Sequence, residues 1–207
     1  MGLTFTQVPV EVQEALQKNA GILLTEFNPR AVIDATYKST MRENILLATN
    51  GGVQFTDTPE YADGAEGIDN MPTNTAELKE ISGREVKCSG TGKSVSSEAM
   101  VRLMGAASKE TDNTGLTVFT PTDVLGISHF KTLWYVCDYG TKGGFIAIEM
   151  KRTLNTDGFS MQTANKDKGD FAFGFVAHYS IDNIDEVPYK IYMRSEALAD
   201  SEELGSE

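Results

Sequence analysis

Gly90-Thr91-Gly92-Lys93-Ser94 is the run most like a site for chemistry, because its Gly-Lys-Ser ending matches the end of a phosphate-binding loop. That loop needs a glycine five residues before the last one, so that backbone N–H groups can wrap the phosphates, and Lys87 stands there. With no alternating strand and helix pattern around it, the run reads as a glycine-bearing strand end. Gly126-Ile127-Ser128 and Gly158-Phe159-Ser160 each begin a nucleophile elbow, but Phe130 and Gln162 replace the closing glycine of that sharp turn. The two histidines, His129 and His178, lie far apart in sequence, one expected in a loop and the other in a strand. Either serves as a base only if the fold brings it a partner.

Metal chemistry has an equally thin footing. Cys88, Cys137 and the two histidines could supply four zinc ligands, yet none of the close C-x-x-C or H-x-x-x-H pairs that form such sites occurs. The run from Asn165 to Asp170 hints at a calcium loop, but Val176 stands where the bidentate glutamate belongs, so a polar hairpin turn is expected. Trp134, Tyr135 and Tyr139, with Asp138 among them, could form a sugar-stacking platform. Strand alternation places Trp134 and Tyr135 on opposite faces, so at least one belongs to the core. No catalytic, cofactor-binding or metal-binding residue is assigned on these patterns, and the chain is expected not to be an enzyme and to need no cofactor.

The 207 residues carry a formal net charge of −12, with 40% hydrophobic and 23% charged side chains, the profile of a folded chain with a substantial core. An acidic surface repels the phosphate backbone and argues against a face that holds nucleic acid. The same charge also serves solubility. No stretch approaches the roughly 20 apolar residues of a membrane helix, and residues 1–10 lack the basic start and apolar run of a signal peptide. A soluble protein with no membrane partner is expected. Cys88 and Cys137 sit in strand-like alternations, where thiols pack as small hydrophobes rather than bridge.

The elements that would position these residues are mainly strands. Residues 9–19 suit a short amphipathic helix closed by Gly21, or an extended arm. A strand is expected over 22–27, and a hairpin joins 45–48 to 53–55 around Asn50-Gly51-Gly52. Residues 57–75, rich in Asp, Gly, Pro and Asn, read as a long loop and a candidate contact element. Residues 84–95 alternate as a strand with Val86, Cys88 and Gly90 on one face. Ser96 or Ser97 then caps the one main helix, over about 97–107, with Met100, Val101, Leu103 and Met104 as its apolar stripe.

Six further strands, at 116–120, 132–139, 144–152, 159–164, 171–179 and 187–193, are separated by short turns and point to an antiparallel meander. The 171–177 strand puts Phe171, Phe173 and Phe175 on a core face and small residues on the other. Residues 195–207 hold five acids and no aromatic, so a solvated flexible tail is expected after a single domain spanning 1–194. Deleting 197–207 should leave the fold intact. The fold class is therefore mostly β, an antiparallel sandwich or partly open barrel flanked by one helix.

Several segments carry a resemblance to a known family. They include Gly21-Ile22-Leu23-Leu24-Thr25-Glu26-Phe27, Asn50-Gly51-Gly52-Val53-Gln54-Phe55 with Pro59 and Tyr61, Ile68-Asp69-Asn70-Met71-Pro72, and Glu85-Val86-Lys87-Cys88-Ser89-Gly90-Thr91. Trp134-Tyr135-Val136-Cys137-Asp138-Tyr139, Gly143-Gly144-Phe145-Ile146-Ala147-Ile148 and Val187-Pro188-Tyr189-Lys190-Ile191-Tyr192 continue it, over roughly residues 20–193. In these packing and turn patterns the chain resembles the major tail, or tail-tube, proteins of long-tailed bacteriophages. The resemblance implies six copies in a ring, rings stacked into a tube that conducts DNA without binding it tightly, and a place in the virion after assembly in the host cytoplasm. It implies self-contacts, tape-measure and other tail proteins as partners, and no catalytic residues. A carbohydrate- or surface-binding β-sandwich module, a tail terminator and a head-decoration protein remain as other readings.

Overall fold

Alternating apolar residues build two faces at once in the central strands. In the computed structural model, which describes residue 12 and residues 15–198, the protein is mostly β. Its strands are β1 (Gln17–Leu24), β2 (Ile45–Leu47), β3 (Thr49–Asp63), β4 (Lys79–Gly92), β5 (Ala107–Thr111), β6 (Thr117–Pro121), β7 (Lys131–Tyr139), β8 (Gly143–Asn155), β9 (Ser160–Gln162), β10 (Asp170–Ala177) and β11 (Tyr189–Glu196). Two helices, α1 (Ala35–Glu43) and α2 (Ser97–Leu103), accompany them. Nine strands share one antiparallel sheet in the order β2-β1-β7-β8-β10-β4-β3, with β11 also on β8 and β9 on β10. β5 and β6 form a separate hairpin.

β8 joins the two halves of this sheet. Its first part pairs with β7 and β11, and its last residues, Thr153 to Asn155, pair with β10. β11 and β10 therefore diverge, and the sheet folds over itself. Between the halves lie Leu23, Leu133, Tyr135, Ile148 and Met150 from one side and Val86, Cys88, Phe173, Phe175 and Ala177 from the other, a sandwich-like core. The residues between them in sequence face away. Leu24, Trp134, Val136, Phe145 and Ala147 form a second cluster with Phe27, beneath Tyr37 and Met41 of α1.

The small face of β10 is filled from within the chain. A Cβ on Gly174 would lie 2.0 Å from Oδ2 of Asp157, whose carboxylate accepts a hydrogen bond from Lys87 Nζ at 2.7 Å. Buried Asn155 ties the same region together: its amide nitrogen donates to Leu103 O (2.6 Å) and Gly158 O (2.8 Å), and its Oδ1 accepts from Gly174 N (2.9 Å).

Several sequence expectations are corrected. Gly51 and Gly52, with φ of +76° and +86°, bulge out of β3 instead of closing a hairpin, because β2 pairs with β1 and β3 pairs with β4. Residues 57–63 are strand rather than loop: a ribbon exposed on both faces satisfies its backbone by cross-strand hydrogen bonds and needs few aliphatics. The helix at 97 stops at Leu103, not 107, because Gly105 at φ +75° turns the chain so that Ala107 enters β5. The late strands do not form a simple meander, since β10 pairs with β4 and β11 returns to β8. β11 runs through Glu196, and Ala197 N donates to Lys142 O at 3.1 Å, so residues 195–197, expected in the tail, are held to the sheet. Residues 199–207 lie outside the described residues, as do 9–11, 13 and 14 of the 9–19 segment; its residues 17–19 belong to β1.

Candidate functional site

The pairing of β10 with β4 ends at Ala177 opposite Val86, so β3 and β4 continue beyond it with only each other as strand partners. Thr58–Asp63 and Lys79–Glu85 thus form a two-stranded ribbon that runs past the core. A bulge at Ser82 sets Tyr61 directly opposite Ile81. Both are exposed, at 59% and 53%, and Lys79 Nζ sits 5.9 Å from the Tyr61 ring centroid.

The ribbon's tip is built from polar side chains. Asp63 Oδ1 accepts from Ala65 N (3.0 Å) and Oδ2 from Asn74 N (2.6 Å), while Gly64 N donates to Leu78 O at 2.9 Å. The Asn74 and Ala65 amides hold the Asp63 carboxyl below its usual range. Residues 64–75, the second half of the segment expected as loop over 57–75, are loop, tied down by these bonds.

Beside the ribbon runs the connection from β10 to β11, residues 178–188. It is pinned at its end, where Lys151 N donates to buried Pro188 O (2.7 Å) and Glu186 pairs with Lys151 Nζ (2.5 Å) and Lys190 Nζ (3.3 Å). Hydrogen bonds from Lys151 and then Lys190 keep the Glu186 carboxyl low. So fastened, the segment presents Ile181 at 92% and Ile184 at 67% exposure. Ile81, Arg84, Tyr179, Ile184 and Val187 border an open groove of about 610 Å³ between ribbon and connection. Arg84, one of the lining residues, donates to Asp57, which also accepts from the Tyr189 hydroxyl (2.7 Å), and that bond pushes the Tyr189 pKa up.

Exposed apolar side chains gathered along a groove are the kind of surface that protein contacts use. The residues considered for chemistry are not brought together. Lys93, from the phosphate-loop-like run, pairs with Asp170, and Ser94 Oγ accepts from Ala48 N. His129 Nδ1 accepts from Gly126 N within its own turn. His178 lies just past β10, edge-on to Phe130 at 5.1 Å between ring centroids. Ser128 lies in a short 3-10 turn and Ser160 begins β9. Cys88 and Cys137 are buried free thiols in one core, and burial pushes Cys88 up to about 12. Among the described residues no group of three His, Cys, Asp or Glu could hold a metal ion, and no helix is long and apolar enough to cross a membrane.

Trp134 and Tyr135 are both buried on opposite faces, Trp134 against Phe27 and Tyr192, and neither offers a stacking platform. Ile81, Ile181 and Ile184 were the residues the sequence reading passed over. Their signal was isolated isoleucine inside polar, acid-rich stretches, where a soluble connection has no folding need for one. Comparison with known protein families and with curated proteins finds no family model that matches the chain and no matching relative.

Proposed function

We propose that the protein is a structural subunit that assembles with copies of itself into stacked rings, forming the tail tube of a long-tailed bacteriophage through which DNA passes. The observation that carries this reading is the apolar surface on and beside the projecting ribbon, with Tyr61, Ile81, Ile181 and Ile184 open to solvent. Completing the burial of side chains like these contributes on the order of 1 kcal/mol each, while association costs several kcal/mol in lost freedom. One such contact is weak, whereas contacts repeated around a ring and between rings reinforce one another. The outer edge of β3, fifteen residues long and without a strand partner among the described residues, offers a second means of joining copies. Tape-measure and other tail proteins are the further partners in this reading, the virion is the location, and the acidic charge lets DNA pass without being held.

The test is sedimentation velocity with negative-stain microscopy of the wild type and of an Ile81→Asp/Ile184→Asp variant. Rings or tubes are expected for the wild type, and monomers with an unchanged melting temperature for the variant. If the variant assembled as the wild type does, the groove would not be the contact.

A further inference from the structure

The solvent side of α1 carries a strip of positive charge. The helix rests on the sheet through Tyr37 and Met41 and has no fully buried residue. Lys38 and Arg42, four residues apart, share one exposed flank, and neither has an ion-pair partner among the described residues. Asp34 is engaged at the N-cap, where its carboxylate accepts from Tyr37 N at 2.6 Å. Glu43 follows Arg42 and therefore points about 100° round the helix from it.

The complementary surface is the face of the ribbon turned away from the groove. Thr58 is opposite Glu85, Glu60 opposite Gly83 and Ala62 opposite Glu80, so alternation puts Glu60, Glu80 and Glu85 on one face and Tyr61 and Ile81 on the other. These three glutamates are exposed and have no ion-pair partner among the described residues. Like charges on one face of a strand pair repel one another, and cations from outside the subunit would relieve that repulsion. Residues 57–85 hold eight acids and two basic residues, a net −6 that is half of the chain's −12, so the ribbon favours a cationic neighbour over a neutral one. The spacings also match. Lys38 and Arg42 lie about 6 Å apart along the helix axis, and the rows of Glu60 and Glu80 lie about 7 Å apart along the ribbon.

We propose, on the reading of the protein as a self-assembling subunit, that the ribbon of one copy lies across α1 of a second copy, with Glu60 and Glu80 facing Lys38 and Arg42. The two surfaces belong to different halves of the sandwich: β3 and β4 continue from β10, while α1 covers the outer side of β1, β7 and β8. One copy thus offers both at once, and the contact is heterologous, repeating from copy to copy as a ring requires. Tyr61 and Ile81, on the ribbon's other face, stay available for the apolar contact. Exposed ion pairs of this kind chiefly speed association and fix its register.

The test follows assembly of the full-length protein by sedimentation velocity and light scattering. It compares the wild type, Lys38→Glu/Arg42→Glu, Glu60→Lys/Glu80→Lys, and an equimolar mixture of the two variants. Each variant alone is expected to melt as the wild type does and to assemble slower by about tenfold or more. In the mixture every reversed helix can meet a reversed ribbon, and the rate is expected to return to within about threefold of wild type. A variant that assembles alone at the wild-type rate, or a mixture that stays slow, overturns the pairing of ribbon with helix and leaves the apolar groove standing. A wild type that does not assemble overturns both. Unmodified protein gives a second measurement: raising NaCl from about 0.1 M to about 1 M shortens the screening length from about 10 Å to about 3 Å and is expected to slow association. Association that is unchanged or faster at high salt overturns the pairing as well.

Discussion

Replacing Asn155 with leucine, a side chain of similar length, removes the buried amide at the point where β8 passes from β7 to β10. Asn155 is 5% exposed and bonds the last carbonyl of α2, the Gly158 carbonyl and the Gly174 N–H of β10. Gly158 is exposed and its carbonyl can turn to water, but Leu103 and Gly174 are buried and their backbone groups would lose a partner. Each orphaned group costs about 1–3 kcal/mol. With leucine regaining some apolar burial, the net loss is roughly 3 kcal/mol, which lowers Tm by about 6–12 °C in a chain of this size. Asn155→Asp gives a second reading. It keeps the acceptor for Gly174 but points carboxylate oxygen at two carbonyls, so the folded pKa of the new carboxyl rises above its unfolded value. The stability this carboxyl contributes is then present below the unfolded value and lost as pH rises, so its deficit against wild type shrinks below about pH 4. Calorimetry at pH 7 and pH 4 measures both. An Asn155→Leu Tm within about 2 °C of wild type would refute the view that this amide joins the two halves.

Further predictions rest on other contacts. Cys88, buried and with its pKa pushed to about 12, is expected to resist maleimide at pH 8 until the protein unfolds; rapid labelling of the native state would show an opening in the core. Gly174→Ala drives a methyl into the Asp157 carboxylate and is expected to lose about 1–3 kcal/mol, with Asp157→Gly in the same chain recovering part of it in urea titrations. Because the Asp63 carboxyl is held low, its contribution is present above the unfolded value and lost as pH falls through the folded one; hydrogen exchange should show the amides of Ala65 and Asn74 losing protection below about pH 4. Six copies at −12 give a ring of roughly −70, so assembled tubes should not retain duplex DNA at low salt, and tight salt-sensitive retention would contradict an acidic bore.

The strands with a clear period of two were readable in the sequence. Phe171 to Ala177 alternates large and small residues, so its faces follow from the residues, while Leu133 to Cys137 is an unbroken apolar run that reads as a strand buried on both faces. Their partners were not, because pairing β10 with β4 across eighty residues leaves no local mark. α1 escaped notice for a different reason: it has no fully buried residue, and it rests on the sheet through Tyr37 and Met41, one helical turn apart. The β3 arm of the ribbon, residues 57–63, reads as loop because Asp, Pro and Glu are poor strand formers, yet pairing with β4 holds it extended. The groove beside it depends on the divergence of β10 from β11, a tertiary feature that leaves no local mark in the sequence.

The central claim is self-assembly, and negative-stain microscopy of the concentrated full-length protein, paired with sedimentation velocity, tests it most directly. Closed rings that stack into tubes are predicted, with the Ile81→Asp/Ile184→Asp variant remaining monomeric. A wild-type protein that sediments as a monomer at every concentration, and shows neither rings nor tubes even when seeded with preformed tail assemblies, would contradict it.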